Sequence, residues 1–393
     1  MKKLFFFTAL AAAVLTAQAQ KFEVFDHTPV HAFGEYDETR PDSAGVLHGG
    51  MGRYIFKKVV FPEYERTTKA TVTLTLASNG DRWDKSGSCF IIPACDDPMR
   101  MIRGKALLAP GADSAYMGVT PQGGKAPYVE LLRFMTPFGV GHFSDDRLHR
   151  KPVYIPYWEK QVQWTQDVSQ LVPMLRGEAW IGIWIDSWTT EGYLVSLDIT
   201  LDESPLKCDK AVPSVVIPAM NTVPYIGSQN LSTSFAAKDL TAEITVPKGA
   251  RNARLYYVVT GHGGHSGGDE FTKQRNLVFV DGEPVLDFIP WRDDCASFRR
   301  FNPGSGVWLI KRQAPYIAES GEYETKEIEE SLASSDLSRS NWCPGSCVVP
   351  ECVALPELKP GTHRITVSIP DAQRAVGDKL NHWLVSAYVV CDL

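Results

Sequence analysis

Past its first nineteen residues the 393-residue sequence has no apolar run long enough to cross a bilayer, no basic excess, no tandem repeat and little helical periodicity. Each absence excludes something. The first argues against a helical membrane protein. The second, 40 Lys and Arg against 46 Asp and Glu for a net charge of −6, argues against nucleic acid or an anionic membrane as principal partner. The scarcity of a 3.6-residue period removes helical bundles and alternating α/β folds from consideration. What remains is a β-protein of a length that suits two domains.

The opening MKKLFFFTALAAAVLTAQA has a positive start (Lys2, Lys3), an apolar stretch from Leu4 to Leu15 and a small-x-small site at Ala17-Gln18-Ala19. Residues 1–19 therefore read as a signal peptide and imply export, to the periplasm or beyond the cell. Loss of Lys2 and Lys3 moves the net charge from −6 to −8. No Cys follows the cleavage site, so a lipid anchor is not expected. Eight cysteines (89, 95, 208, 295, 343, 347, 352, 391) in an exported chain favour disulfides over a metal site, with about 105 possible pairings.

Strand signals dominate. In KATVTLTLA, Val72, Leu74 and Leu76 alternate with Thr71, Thr73 and Thr75, the pattern of a half-buried strand. Similar runs cover 179–186, 192–200, 253–260, 276–280, 362–369 and 382–391, bounded by turn residues. The fold class is all-β, built of sandwiches or jelly rolls. Three prolines between Leu201 and Val223 break the rhythm, and a boundary near Pro205–Asp209 gives domains of 20–205 and 206–393. Segments 96–128 and 142–159 read as long loops. The best helical candidate, Glu324–Ala333, is acidic and reads as a solvated surface insert. Asn230-Leu231-Ser232 matches a glycosylation sequon.

Four stretches could carry chemistry. In NGDRWDKS, Asp84 stands beside Trp83 just past a strand end; this is a turn-capping Asp, or a carboxyl that an aromatic wall desolvates into a proton-transfer group. In WIGIWIDSWTTEGY the pattern recurs with Asp186 and Trp188. TGHGGHSGGDEF holds five glycines, His262 and His265, and then Asp269 and Glu270. It reads as a plain loop, a partial metal site or a catalytic loop carrying Glu270. In SRSNWCPGSC, Arg339 precedes Trp342 and Cys343, and a bridged Cys343 would make it a positioned donor.

Together these stretches resemble the peptide:N-glycosidase F family of secreted amidases. The resemblance runs in order through HAFG (31–34), DRWDKS (81–86), RFMTPFGVG (133–141), DSWTTEGYLVSLDI (186–199), VPYIG (223–227), the Glu270 loop, NWCPG (341–345) and WLVSAYVV. It implies two antiparallel eight-stranded jelly-roll domains side by side with the active site between them. It implies a catalytic Asp84, a supporting Glu270, and Asp186 where the family has a Glu. Trp83, Lys85, Asp81, Trp188, Arg339 and His262 are implied as substrate contacts, and Cys295–Cys343 as a disulfide. Lys85 replaces a family Arg, a point charge for a bidentate donor; His262 stands where an aromatic is expected, and a small disulfide framing the Asp81 turn is missing. The implied reaction is hydrolysis of the bond between an N-glycan and its asparagine, on N-glycosylated proteins or peptides, by a monomer needing neither cofactor nor metal. Three other readings stay open: a glycan-binding module without catalysis, a glycoside hydrolase using two carboxylates, and a copper monooxygenase drawing on His262, His265, His142 and Met135.

Overall fold

The structure is a computed structural model and describes residues 19–94, 97–99, 128–145, 155–223 and 235–393. Most of the loop expected at 96–128, Cys95, part of the 142–159 segment, most of VPYIG and the sequon at 230–232 lie outside the described residues. The chain is built almost entirely of antiparallel strands, and the seven strand runs read from the alternation are all present.

The first half forms two facing sheets. One orders Gln20–Val30, Tyr193–Glu203, Thr68–Ser78 and Val162–Asp167. The other orders Val46–Gly49, Tyr54–Phe61, Gly177–Ile185, Ser86–Pro93 and Val129–Met135, with Cys347–Val348 from the second half as a sixth strand. Val72, Leu74 and Leu76 point into the space between these sheets and meet Ile55, Ile91, Ile181 and Ile183. The threonines face outward, and the Thr73 and Thr165 hydroxyls pair across strands at 3.3 Å. The second half forms two four-stranded sheets. They run in the orders Ser214–Asn221, His382–Asp392, Arg251–His262, Glu351–Ala354 and Leu240–Val246, Gly361–Ser368, Asn276–Val280, Glu283–Phe288.

The central strands of the six-stranded sheet are buried on both faces, and their sequence shows why. Cys-Phe-Ile-Ile at 89–92 and Trp-Ile-Gly-Ile-Trp-Ile at 180–185 are apolar without alternation, as strands covered on both sides are. Tyr54, Phe56, Phe90 and Trp184 turn away from their own sandwich into one continuous cluster with Met220, Leu384 and Val385 of the second domain. A buried ion pair on the strand Val129–Met135 reaches across the same seam through its hydrogen bonds. Arg133 donates from Nε and Nη2 to the two Glu130 oxygens at 2.6 and 2.8 Å, and from Nη1 to Thr260 Oγ1 and the Leu384 carbonyl. Ser88 and Ser386 donate to Glu130 in turn. Every charge is satisfied, so the pair fixes how the two sandwiches sit together.

Two expectations are corrected here. Residues 323–333 are a strand, not a helix: Tyr323–Ala333 pairs with Val307–Ile317 in an exposed two-stranded hairpin, and cross-strand pairing overrides the helical propensity of its Glu and Lys residues. The insert is on the surface as expected. The preference for disulfides holds only in part: among the described residues one bridge, Cys295–Cys343, is present, the pair that the resemblance implies, while Cys89, Cys208, Cys347, Cys352 and Cys391 are free thiols.

Candidate active site

The Asp84 turn joins a strand of one first-domain sheet to a strand of the other, so it lies at the end of that sandwich. It is held rigid from both sides. The Asp81 carboxylate accepts the Trp83 amide at 3.0 Å and the Ser187 hydroxyl at 3.0 Å. The Trp83 carbonyl accepts the Tyr193 and Thr136 hydroxyls. Thr136 also exchanges hydrogen bonds with the Lys85 backbone on the other side of Asp84. Asp84 is thereby fixed with its carboxyl toward the second domain, only 17% of the side chain being exposed.

Glu270 lies in a short 3-10 turn, Asp269–Phe271, beyond the strand Arg251–His262. Its neighbour Asp269 is the anchor. That buried carboxylate accepts the Trp383 indole N–H at 2.9 Å, the Gln373 amide at 3.0 Å and the Gln274 side-chain amide at 3.2 Å. The glycine run makes the approach possible: Gly263 has φ +145°, and a Cβ there would lie 2.3 Å from Asn381 Oδ1.

Arg339 links the two carboxylates. Its Nε donates to Glu270 Oε1 at 2.9 Å, and its Nη2 lies 3.6 Å from Asp84 Oδ2. The guanidinium is packed by the rings of Phe271 and Trp342 and donates to the Leu337 and Ser334 carbonyls at 2.8 and 3.0 Å. The loop carrying it is fastened three ways: an antiparallel bridge to Arg292, a hydrogen bond from Trp342 Nε1 to the Gly261 carbonyl, and the Cys295–Cys343 disulfide. Asn341, between Arg339 and Trp342, takes φ 69° and donates to the Val259 carbonyl, turning the two side chains to their places.

The three charged groups line a cleft of about 850 Å³ between the two domains, walled by Trp83, Phe138, Phe271 and Trp291. Burial is the main electrostatic force in it. It pushes the Asp84 carboxyl up to about 7, with Arg339 opposing and the Glu270 charge adding to the rise. Burial raises Glu270 too, again against Arg339. Two carboxyls share one guanidinium, so the pair retains a proton close to neutral pH.

Lys85, Asp186 and Trp188 form a neighbouring patch. The Trp188 indole donates to Asp186 Oδ1 at 3.0 Å, Arg53 stands 3.8 Å from the same oxygen, and the Arg53 guanidinium covers the Trp188 ring. Burial raises the Asp186 carboxyl, and the Lys85 charge opposes that rise as it does at Asp84, so Lys85 ties the patch to the cleft. Trp83 and Trp188 are about half exposed, at 51% and 53%. Asp186→Glu, which adds one methylene, is expected to change KM several-fold while moving stability by less than about 1 kcal/mol. Steady-state kinetics and thermal melting check this.

Two residues expected at the site are elsewhere. Asp81 is fully buried and clamps the turn, so it supports the site without facing it. His262 is interior, stacked between Trp342 and His382 with Nε2 2.8 Å from Thr260 Oγ1. It cannot reach the cleft because its half of the strand is covered on both faces. His265 does line the cleft, with Nε2 3.2 Å from Asn381 Oδ1. Among the described residues no three His, Cys, Asp or Glu side chains are grouped so as to hold a metal ion. Phe138 and Trp291 carry no signal in the sequence, since loop aromatics have no periodicity, and Asp269, read there only as part of a possible metal site, is instead the anchor of the Glu270 turn.

Opening the disulfide tests how far the fold depends on it. It closes a span of 48 residues that includes Arg339, for which loop entropy gives about 4 kcal/mol. The double substitution Cys295→Ser, Cys343→Ser is expected to lose about 2–4 kcal/mol in denaturant unfolding.

Fold and site together define a class: a pair of antiparallel β-sandwiches with a carboxylate from each domain meeting over an arginine at the seam. The profiles described as Peptide-N-glycosidase F, N terminal and C terminal, match residues 21–201 and 230–390. The chain belongs to the peptide-N-glycosidase F family. A solved structure of PNGF-II is 33% identical, with a TM-score of 0.78, over 95% of this chain and 65% of that one. This chain therefore spans about two thirds of PNGF-II. The structure titled PNGase F, a glycosylasparaginase from Flavobacterium meningosepticum, matches over 95% of this chain and 96% of its own, at 14% identity and TM-score 0.60. That of a peptide-N(4)-(N-acetyl-β-D-glucosaminyl) asparagine amidase matches at 15% identity, TM-score 0.59 and the same coverage. At those identities the likeness is one of fold. None of the curated proteins matches the chain.

Proposed function

We propose that this protein hydrolyses the side-chain amide that joins an N-glycan to asparagine, releasing the glycan and leaving aspartate in N-glycosylated proteins or peptides. The observation that carries the reading is the Asp84–Arg339–Glu270 cluster in an aromatic-walled cleft. Amide cleavage needs a proton moved between water and a poor nitrogen leaving group. A carboxyl held near 7 exchanges that proton at neutral pH. Asp84 is the proton-transfer group at the scissile amide. Glu270 orients or polarises through a water, and Arg339 holds Glu270 and faces a substrate oxygen. In this reading the Trp83, Phe138 and Trp291 rings take the C–H surface of sugar rings, and Asp186, in the neighbouring patch, takes sugar hydroxyls. Proton transfer of this kind supplies about 10²–10⁴-fold, so rigid positioning by the Asp81, Asp269 and disulfide anchors must supply much of the rest. Family membership and the likeness to PNGF-II support the reading. Action outside the cytoplasm follows from the leader-like first residues.

A defined N-glycopeptide incubated with the protein, with both products weighed by mass spectrometry, tests it. Intact glycan with Asp in place of Asn is expected. A peptide retaining one sugar would mean a glycosidase, and unchanged glycopeptide across several glycan types would leave a binding protein.

A further inference from the structure

The hairpin of Val307–Ile317 and Tyr323–Ala333 has eleven paired positions and pairs with no other strand among the described residues. At roughly 3.3 Å per residue it reaches about 35 Å. Among the described residues no strand pairs with either of its long edges, an arrangement that natural proteins cover or blunt unless another chain is meant to add to it. It carries exposed apolar side chains at Leu309, Ile317 and Tyr323, the last 84% exposed. Its charge is one-sided, six glutamates between Glu319 and Glu330 against Lys311, Arg312 and Lys326.

The hairpin leaves the body at the rim of the cleft. Ser334, immediately after it, accepts from Arg339 Nη2 through its carbonyl and is tied by its amide to Gly306 at the other foot. Ser334, Leu337 and Ser338 then form part of the cleft wall. If the sugars and the scissile amide occupy the cleft, a polypeptide carrying the asparagine leaves over its rim, and the feet of the hairpin form one side of that rim.

We propose that the hairpin is the docking arm for that polypeptide: an extended segment flanking the glycosylated asparagine pairs with one of its open edges as a third strand, with basic residues favoured by the acidic arm. This builds on the amidase reading given above and adds the recognition of the protein part of the substrate. The arm raises the efficiency on long peptides and leaves the chemistry alone.

The test compares two N-glycopeptides with one glycan, a long one with basic flanks and a minimal one with a single blocked residue on each side. The enzymes are the wild type and a variant with residues 309–331 replaced by a short Gly-Ser turn. The charge-reversed variant Glu324→Lys, Glu329→Lys, which keeps the hairpin and should lower kcat/KM on the long basic peptide alone, guards against misfolding. Shortening the arm is expected to lower kcat/KM on the long peptide by about tenfold, through KM, with the minimal substrate unaffected. Equal losses on both substrates, or none on either, would overturn the proposal. So would a wild-type dimer that becomes monomeric without any kinetic change, which would make the arm a self-association element. If the wild type cleaves neither peptide, the amidase reading fails separately. Hydrogen exchange of the Asp84→Asn protein with the long glycopeptide then decides the arm's role: protection within 307–317 or 323–333 upholds docking, and its absence refutes it.

Discussion

Asp84→Asn is expected to abolish turnover, by about 10⁴-fold or more, while making the protein more stable at alkaline pH. The two effects have one cause. Burial has raised the folded-state pKa of Asp84 to about 7, whereas an unfolded aspartate titrates near 3.9. The sign follows directly. Below about pH 4 both states are protonated and the group costs nothing. As pH rises toward 7 the unfolded chain ionises while the folded one holds its proton, and stability falls; above 7 the full cost is present. Asparagine is neutral throughout, so the variant gains up to about 4 kcal/mol over the wild type at pH 8, with the gain vanishing toward pH 4. Paired urea titrations at the two pH values measure it. Unchanged activity would remove Asp84 from the chemistry. A variant less stable than the wild type at pH 8 would mean that the Asp84 carboxylate is stabilised where it lies.

Arg339→Met carries the second large effect. Arg339 neutralises two buried carboxyls and satisfies two carbonyls. Removing one partner of a buried ionic cluster costs about 3–5 kcal/mol. The loss should be largest at alkaline pH, where Asp84 and Glu270 would have to ionise with no cation between them, and smaller near pH 5, where protonation relieves them. Since Arg339 holds both carboxyls down, its loss should also move the acidic limb of the pH–rate profile upward. Activity should fall about 10³-fold or more at neutral pH, in line with the loss of a preorganised charged group. Arg339→Lys should recover part of the stability and little of the rate, because one ammonium cannot hold Glu270 and face Asp84 with fixed geometry. Chemical denaturation and a pH–rate profile separate these outcomes.

Much of the fold was legible because alternation is a physical record of a half-buried sheet. The Thr71–Leu76 run declares its inner face directly. The strands buried on both faces left a different trace, continuous apolar runs at 89–92 and 180–185, and these mark where the second domain packs. The hairpin was misread because its Glu and Lys composition suits a helix, and only pairing with Val307–Ile317 decides otherwise. At the site, the Trp83-Asp84 doublet, Glu270 and Arg339 were found and come together, but Glu270 and Arg339 lie 69 residues apart and both are far along the chain from Asp84, so their meeting needed the family resemblance. His262 and Asp81 show the limit. Residue type and spacing do not say which side of a strand or turn a side chain takes, and both point inward. The anchoring role of Asp269, whose hydrogen bonds present Glu270, was hidden because it depends on partners as distant as Trp383.

The account stands on a proton retained by the Asp84–Glu270 pair near neutral pH. Carbon-detected NMR of the side-chain carboxyls, with pH varied from 4 to 9, measures that directly. A carboxyl resonance titrating near 7, absent from the Asp84→Asn protein, is the predicted result; both carboxyls fully ionised by pH 5 would contradict it.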